Sequence, residues 1–154
     1  MPGHTSDSLD ATDRAILALL QTEGRLGTTE IGRRVNLSQP AVSARIKRLE
    51  QTGVITGYRA VVDPEQLGLN IHAVIRLRTT HARVPACLEH FAGVPEIVSV
   101  LRLTGEDCFL IDVRAADARR LEAVVDGVGR FGPVTTSLVL RAYEAKAITP
   151  RPRD

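Results

Sequence analysis

Two periods organise the hydrophobic positions of this chain. Up to about residue 50 the apolar residues recur at spacings of three and four, as on one face of an α-helix. From residue 72 onward they fall largely into short runs of alternating or continuous apolar residues, as in strands, separated by two further helical stretches. Leu9-Asp10-Ala11-Thr12-Asp13 reads as a helix start, with Asp10 capping the first amides and Asp13 placing negative charge in the first turn. Ile16, Leu17, Leu19 and Leu20 then form its buried face, and Gly24-Arg25-Leu26-Gly27 stops it. A second helix of about two turns starts at Gly27 or Thr28, with Glu30 at the acidic position of a capping box and Ile31, Gly32 and Val35 turned inward. Asn36 tolerates the left-handed conformation of a tight turn, and Leu37 returns the chain to the core. Ser38 caps a third helix, Pro40 sits where its missing N–H costs nothing, and Val42, Ile46 and Leu49 share one face.

Two short helices joined by a turn, the second carrying bases outward, make the arrangement of a helix-turn-helix, whose second helix enters the major groove of DNA. Gly32 suits it, because a small residue lets the helices cross closely. Gly53 ends the third helix, Val54 and Ile55 are expected to pack back on the helices, and residues 59–62 continue in strand-like form. Asp63-Pro64-Glu65-Gln66-Leu67-Gly68-Leu69 then marks a turn and a domain boundary.

The second half predicts strands at 72–78, 97–103, 108–113 and 134–141, with helices at 83–91 and 118–128. Strand-helix-strand twice over is a split βαβ arrangement with one layer of helices on a sheet. A weak internal echo accompanies it, Phe91 and Val94 recurring as Phe131 and Val134. The uncovered side of such a sheet needs water or a partner, and Val98, Val100, Leu138 and Leu140 offer it apolar surface. Self-association through this half is therefore expected, and it would set two helix-turn-helix units to read two half-sites.

Composition adds limits. With 154 residues the chain suits one or two small domains, and it contains no apolar run long enough to cross a bilayer, which together make a cytoplasmic protein without a membrane partner the expectation. Two cysteines, Cys87 and Cys108, cannot build a disulfide framework or a four-cysteine metal site in one chain, and no cofactor is implied. His72, His81 and His90, with the acidic-thiol cluster Glu106-Asp107-Cys108, lack any catalytic or metal spacing, so an enzyme is not expected. The formal charge is only +2, yet Ile31 through Leu49 holds Arg33, Arg34, Arg45, Lys47 and Arg48 and no acid. Only that local cluster points to nucleic acid.

The motifs Leu9-Asp10-x-x-Asp13, Leu37-Ser38-Gln39-Pro40-Ala41-Val42-Ser43-x-Arg45-Ile46-x-Arg48-Leu49-Glu50, Gly53-Val54-Ile55-x-Gly57-Tyr58 and Thr104-Gly105-Glu106 resemble the Lrp/AsnC family of transcriptional regulators across residues 9–143. The resemblance implies an α+β chain: a winged-type helix-turn-helix at 9–57 followed by a ferredoxin-like βαββαβ domain at 71–143 for oligomerisation and effector sensing. Residues 1–8 would be a flexible N-terminus, 58–70 a linking strand and hinge, and 144–154 a tail. Family members form dimers, and often tetramers or octamers, bind double-stranded promoter DNA and commonly respond to amino acids. By position, Ser38, Gln39, Pro40 and Ser43 would lie near the groove, with Arg45, Lys47 and Arg48 on phosphates or bases. The sensing loop would comprise Thr104, Gly105, Glu106, Asp107 and Cys108. Where the family's loop often reads Gly-x-x-Asp, Gly105 holds the glycine position and Cys108 the aspartate position, with Asp107 one place early. The alternative within the same fold is an architectural protein that organises or bends DNA without a small-molecule effector.

Overall fold

The computed structural model describes residues 9–143 and 145–149. The expected flexible N-terminus at 1–8, and residues 144 and 150–154 of the tail, lie outside the described residues. The chain divides into two compact units, one formed by the residues up to Val61 together with those after Tyr143, the other by Val62–Tyr143.

The first unit contains α1 (Ala11–Thr22), α2 (Thr28–Val35) and α3 (Gln39–Gln51). Asp10 caps α1 as its sequence suggests: its carboxylate accepts the Asp13 amide at 2.7 Å, and the Asp13 carboxylate accepts the Asp10 amide in return. Glu30 does not act as a cap. Gly27 at the N-cap position offers no side chain, and Glu30 turns along α2 to Arg33 and Arg34 instead. The turn between α2 and α3 is made by Asn36 in the left-handed conformation, φ 57° and ψ 47°. A Cβ at Gly32 would stand 2.5 Å from the Leu37 carbonyl oxygen, so only glycine lets the turn fold this tightly onto α2. Ile16, Ile31 and Val42 form the buried core of the unit, one from each helix, each burial stabilising it by roughly 1.5–3 kcal/mol.

The segment at 59–62, expected to run in strand-like form, joins no ladder among the described residues, and Val61 is 95% exposed. A strand needs a ladder partner, and this unit supplies none there.

The second unit carries β1 (Ile71–Leu77), α4 (Val84–Ala92), β2 (Ile97–Arg102), β3 (Phe109–Ala115), α5 (Ala118–Gly129) and β4 (Val134–Leu138). The strands order as β2-β3-β1-β4, every neighbouring pair antiparallel, which is the ferredoxin-like topology. Alternation places Ala73, Ile75, Leu77, Phe109, Ile111 and Val113 against Cys87 and Phe91 of α4 and Val124 and Val128 of α5. Phe91, an element of the internal echo, meets Phe109 edge-on at 5.3 Å and Phe131 at 6.5 Å.

Two expectations about the sheet are corrected. The last strand ends at Leu138 rather than continuing to residue 141, and Leu140 is exposed beyond it. Val100 pairs with Ile111 and Leu138 with Ala73, so both point to the helix-covered side. The open side instead carries Leu101, Leu110, Arg76 and Thr135 in one row and Ser99, Asp112, Val74 and Ser137 in the next. A bulge between Ile97 and Ser99 shifts the register of β2, which alternation read from sequence alone misses.

Candidate nucleic-acid interface and sensing loop

Helix α3 is amphipathic, with Val42 and Leu49 buried and Ile46 packed beside the core. Its opposite face exposes Gln39, Pro40, Ala44 and Lys47, with Ser43 partly exposed between them. Positions 39, 43 and 47 fall one turn apart on a single stripe. Ser38 is the N-cap, accepting the Ala41 amide at 3.4 Å, and Pro40 stands in the first turn. Gln39 donates from Nε2 to Thr28 Oγ1 at the start of α2 and to Ser43 Oγ, both at 3.1 Å. These polar groups converge where α2 and α3 begin, and no acidic side chain occupies the first turn of α3.

The five bases of the acid-free stretch take three different situations. Arg33 pairs with Glu30 at 2.8 Å, and Arg34 bridges Glu30 at 2.8 Å and Glu23 at 2.5 Å. The Arg33 and Arg34 guanidiniums hold the Glu30 carboxyl down at about 2, and Glu23 first, then Glu30, pushes Arg34 up. Arg45 and Arg48 reach the other way, to the start of α1. Arg45 Nη1 donates to Asp10 at 2.6 Å and to Asp13 at 2.8 Å, and Arg48 Nη2 donates to Asp13 at 2.5 Å. The Asp13 side chain is 1% exposed, against 29% for Arg45 and 42% for Arg48. Its amide neighbour and Arg45 hold the Asp10 carboxyl below the usual range, the Asp13 backbone N–H most strongly, while Asp10 raises Arg45. Lys47 is the base of the stretch that stands exposed on the stripe, with no ion-pair partner among the described residues.

Sequence reasoning found the helix and the residues at its start, but assigned Asp10 only to capping and Asp13 only to the charge of the first turn. The pairing spans 32 and 35 residues, and nothing local in the sequence announces it. Ala44, exposed between Gln39 and Lys47, was also missed, because a methyl group carries no polar signal although it can meet a thymine methyl.

The second candidate site is the loop between β2 and β3. Gly105 lies at φ 104° with open space around its Cβ position, a conformation other residues rarely adopt. Thr104, Glu106 and Asp107 surround it, but the carboxylates are engaged: Glu106 accepts from Arg78 at 2.6 Å, and Asp107 sits 3.6 Å from Arg76. Cys108 turns toward β1. Its Sγ donates to the Thr79 carbonyl at 3.0 Å and accepts the Thr79 amide at 3.4 Å, which lowers its thiol from the ordinary value. Arg102 donates to the Cys108 carbonyl at 3.0 Å and lies over the Phe109 ring.

Among the described residues no cluster of three or more His, Cys, Asp or Glu side chains fits a metal ion, and no helix is long and apolar enough to cross a membrane.

Comparison with known proteins covers both units. Residues 9–50 match a family model described as the AsnC-type helix-turn-helix domain, and residues 72–147 one described as the Lrp/AsnC ligand binding domain. The HTH-type transcriptional regulator Rv2324 of Mycobacterium tuberculosis is 40% identical over 133 residues, covering 85% of this chain and 89% of the relative. Among solved structures, Bacillus subtilis LrpC superposes with a TM-score of 0.84 at 25% identity, covering 90% of this chain and 99% of that one. The transcriptional regulator NMB0573 of Neisseria meningitidis, solved as a complex with L-methionine, gives 0.80 at 32% identity over 93% of this chain and 97% of its own.

Proposed function

Since the chain belongs to the Lrp/AsnC family of helix-turn-helix transcriptional regulators, not enzymes, we propose that it is a cytoplasmic, sequence-specific DNA-binding regulator working as a dimer or larger assembly and modulated by an amino acid or a related small molecule. The observation that carries this reading is the exposed stripe of α3, where Gln39, Pro40, Ser43 and Lys47 stand clear of the helix face that packs on Ile16 and Ile31. A helix presented this way enters the major groove with its N-terminal residues toward base edges. Gln39 has the two-pronged amide that matches adenine N6 and N7, and Lys47 the charge for guanine or phosphate. Ser38 holds the helix start, and Arg45 and Arg48 flank the stripe. The sensing role is assigned to the loop Thr104, Gly105, Glu106, Asp107 and Cys108, supported by the matched ligand-binding domain and the relative's complex with L-methionine.

The alternative architectural reading is favoured by one specific observation. Both loop carboxylates are paired, Asp107 with Arg76 of β1 and Glu106 with Arg78 just past its end, and Cys108 offers a thiol bound to Thr79, so the loop presents no uncommitted carboxylate to an ammonium group.

Selection of a preferred duplex from a random library, followed by titration at fixed salt with each of the twenty amino acids, separates the readings. A regulator selects a definite sequence, and at least one amino acid changes its affinity or assembly mass. No selection above scrambled duplex, together with compaction of long DNA indifferent to every amino acid, supports the architectural protein. Salt must be fixed, because each phosphate contact releases counterions.

A further inference from the structure

Four of the five bases in the acid-free stretch are matched by carboxylates outside it. For Arg33 and Arg34 those carboxylates lie nearby and are solvent-exposed in part. For Arg45 and Arg48 the acceptor is Asp13, fully enclosed at the start of α1 and contacted by both arginines, with Asp10 as a second acceptor for Arg45. Resting on the DNA-binding reading, we propose that Asp13 is a positioning residue for DNA recognition: it pins Arg45 and Arg48 to α1, fixes the seat of α3, and withholds two charges from phosphate, leaving contact to Gln39, Pro40, Ser43, Ala44 and Lys47.

Three physical points support this. A buried carboxylate needs compensation, and Asp13 receives it from two guanidiniums plus the Asp10 amide, so the three groups hold one another in a fixed arrangement. Both arginines sit on the flank of α3 that faces α1, so the same contacts that neutralise their charge also set the rotation of α3 about its axis. A rotation of one residue, about 100°, would carry Gln39, Ser43 and Lys47 out of the stripe. Finally, a helix with fewer mobile charges discriminates better. Phosphate attraction is indifferent to sequence, and two arginines kept off the backbone leave base edges to decide affinity.

The test compares wild type, Asp13→Asn, Asp13→Glu and Asp10→Asn, each checked by circular dichroism and thermal melting. Binding to the selected duplex and to a scrambled one is measured by fluorescence anisotropy across a range of potassium chloride concentrations. Asp13→Asn is expected to steepen the slope of log affinity against log salt by about one to two per helix-turn-helix, at roughly 0.9 per added phosphate contact, and to lower discrimination about tenfold or more. Asp13→Glu, which keeps the charge, is expected to restore part of both. Should Asp13→Asn fail to fold, Asp10→Asn releases one bond to Arg45 and leaves Asp13 in place, with an expected steepening of about one. A folded Asp13→Asn or Asp10→Asn protein with wild-type slope and discrimination overturns the inference alone. Absence of duplex binding by the wild type at low salt defeats the DNA-binding reading and the inference with it.

Discussion

Gly32 shows how much a single missing methyl group decides. Alanine there would gain about 1 kcal/mol of helix propensity. Its Cβ, however, would meet the Leu37 carbonyl oxygen at 2.5 Å, and that oxygen is backbone, held by the turn that Asn36 makes. Overpacking of this kind costs about 1–3 kcal/mol, more where backbone must move, so the clash wins. Gly32→Ala is expected to destabilise the chain by about 2 kcal/mol net in urea unfolding, and a midpoint at or above wild type would mean that the turn can yield. The arginines of α3 follow a related logic. Arg45→Ala or Arg48→Ala strips a counter-charge from the buried Asp13 and loosens the seat of α3, so loss of DNA binding by either variant is expected to come with a lower melting temperature. Lys47→Ala, which breaks no ion pair among the described residues, is expected to weaken binding about five- to tenfold with the melting temperature unchanged. Gel shift and melting on the three proteins separate contact from support, and an unchanged affinity in Lys47→Ala would remove that residue from the interface.

At the scale of elements, α2 carries a local network of charge. Glu30 binds both Arg33 and Arg34 and titrates near 2 rather than at its ordinary 4.5. A carboxyl lowered by folding stabilises the fold above its unfolded value and ceases to do so as pH falls through its folded one, so this contribution fades between about 4.5 and 2. Asp10, also lowered, acts in the same direction at the start of α1. Melting temperature is expected to hold steady near neutral pH and to fall in that acid window, with a smaller fall in Glu30→Gln. An identical acid profile in both proteins would show that the pair contributes nothing. The elements themselves were largely legible before the structure. Caps at Asp10 and Ser38, the left-handed Asn36 and the alternation of Ala73, Ile75 and Leu77 are local signals, and each marks its element correctly. Glu30 lost its capping role to Arg33 and Arg34, one turn along the same helix, a local competition that the capping pattern alone does not weigh. The bulge in β2 and the facing of Val100 and Leu138 depend on partner strands or on an inserted register step, which no window of local pattern contains. The buried face of α3, Val42, Ile46 and Leu49, was legible for the same local reason, and the Asp13 hub beside it was not.

For the whole molecule, the open face of the sheet is the surface on which association of copies can be tested. It carries Leu101 and Leu110 side by side, with Leu101 53% exposed, among Arg76, Asp112, His72 and Arg114. His72 and Asp112 lie 3.0 Å apart, so the face mixes apolar and paired polar groups, as surfaces between copies commonly do. If copies of the chain join here, Leu101→Glu is expected to reduce the assembly mass in sedimentation without altering the far-ultraviolet spectrum; an unchanged mass would place the contact elsewhere. The two thiols offer another consequence. Burial pushes Cys87 up while the Thr79 amide draws Cys108 down, and the first is enclosed where the second is partly open. A maleimide dye added to the native protein should therefore attach at Cys108 alone, within the loop assigned to sensing. Should the loop take a ligand as proposed, a dye carried there is expected to change its emission on titration, with no engineered label site needed.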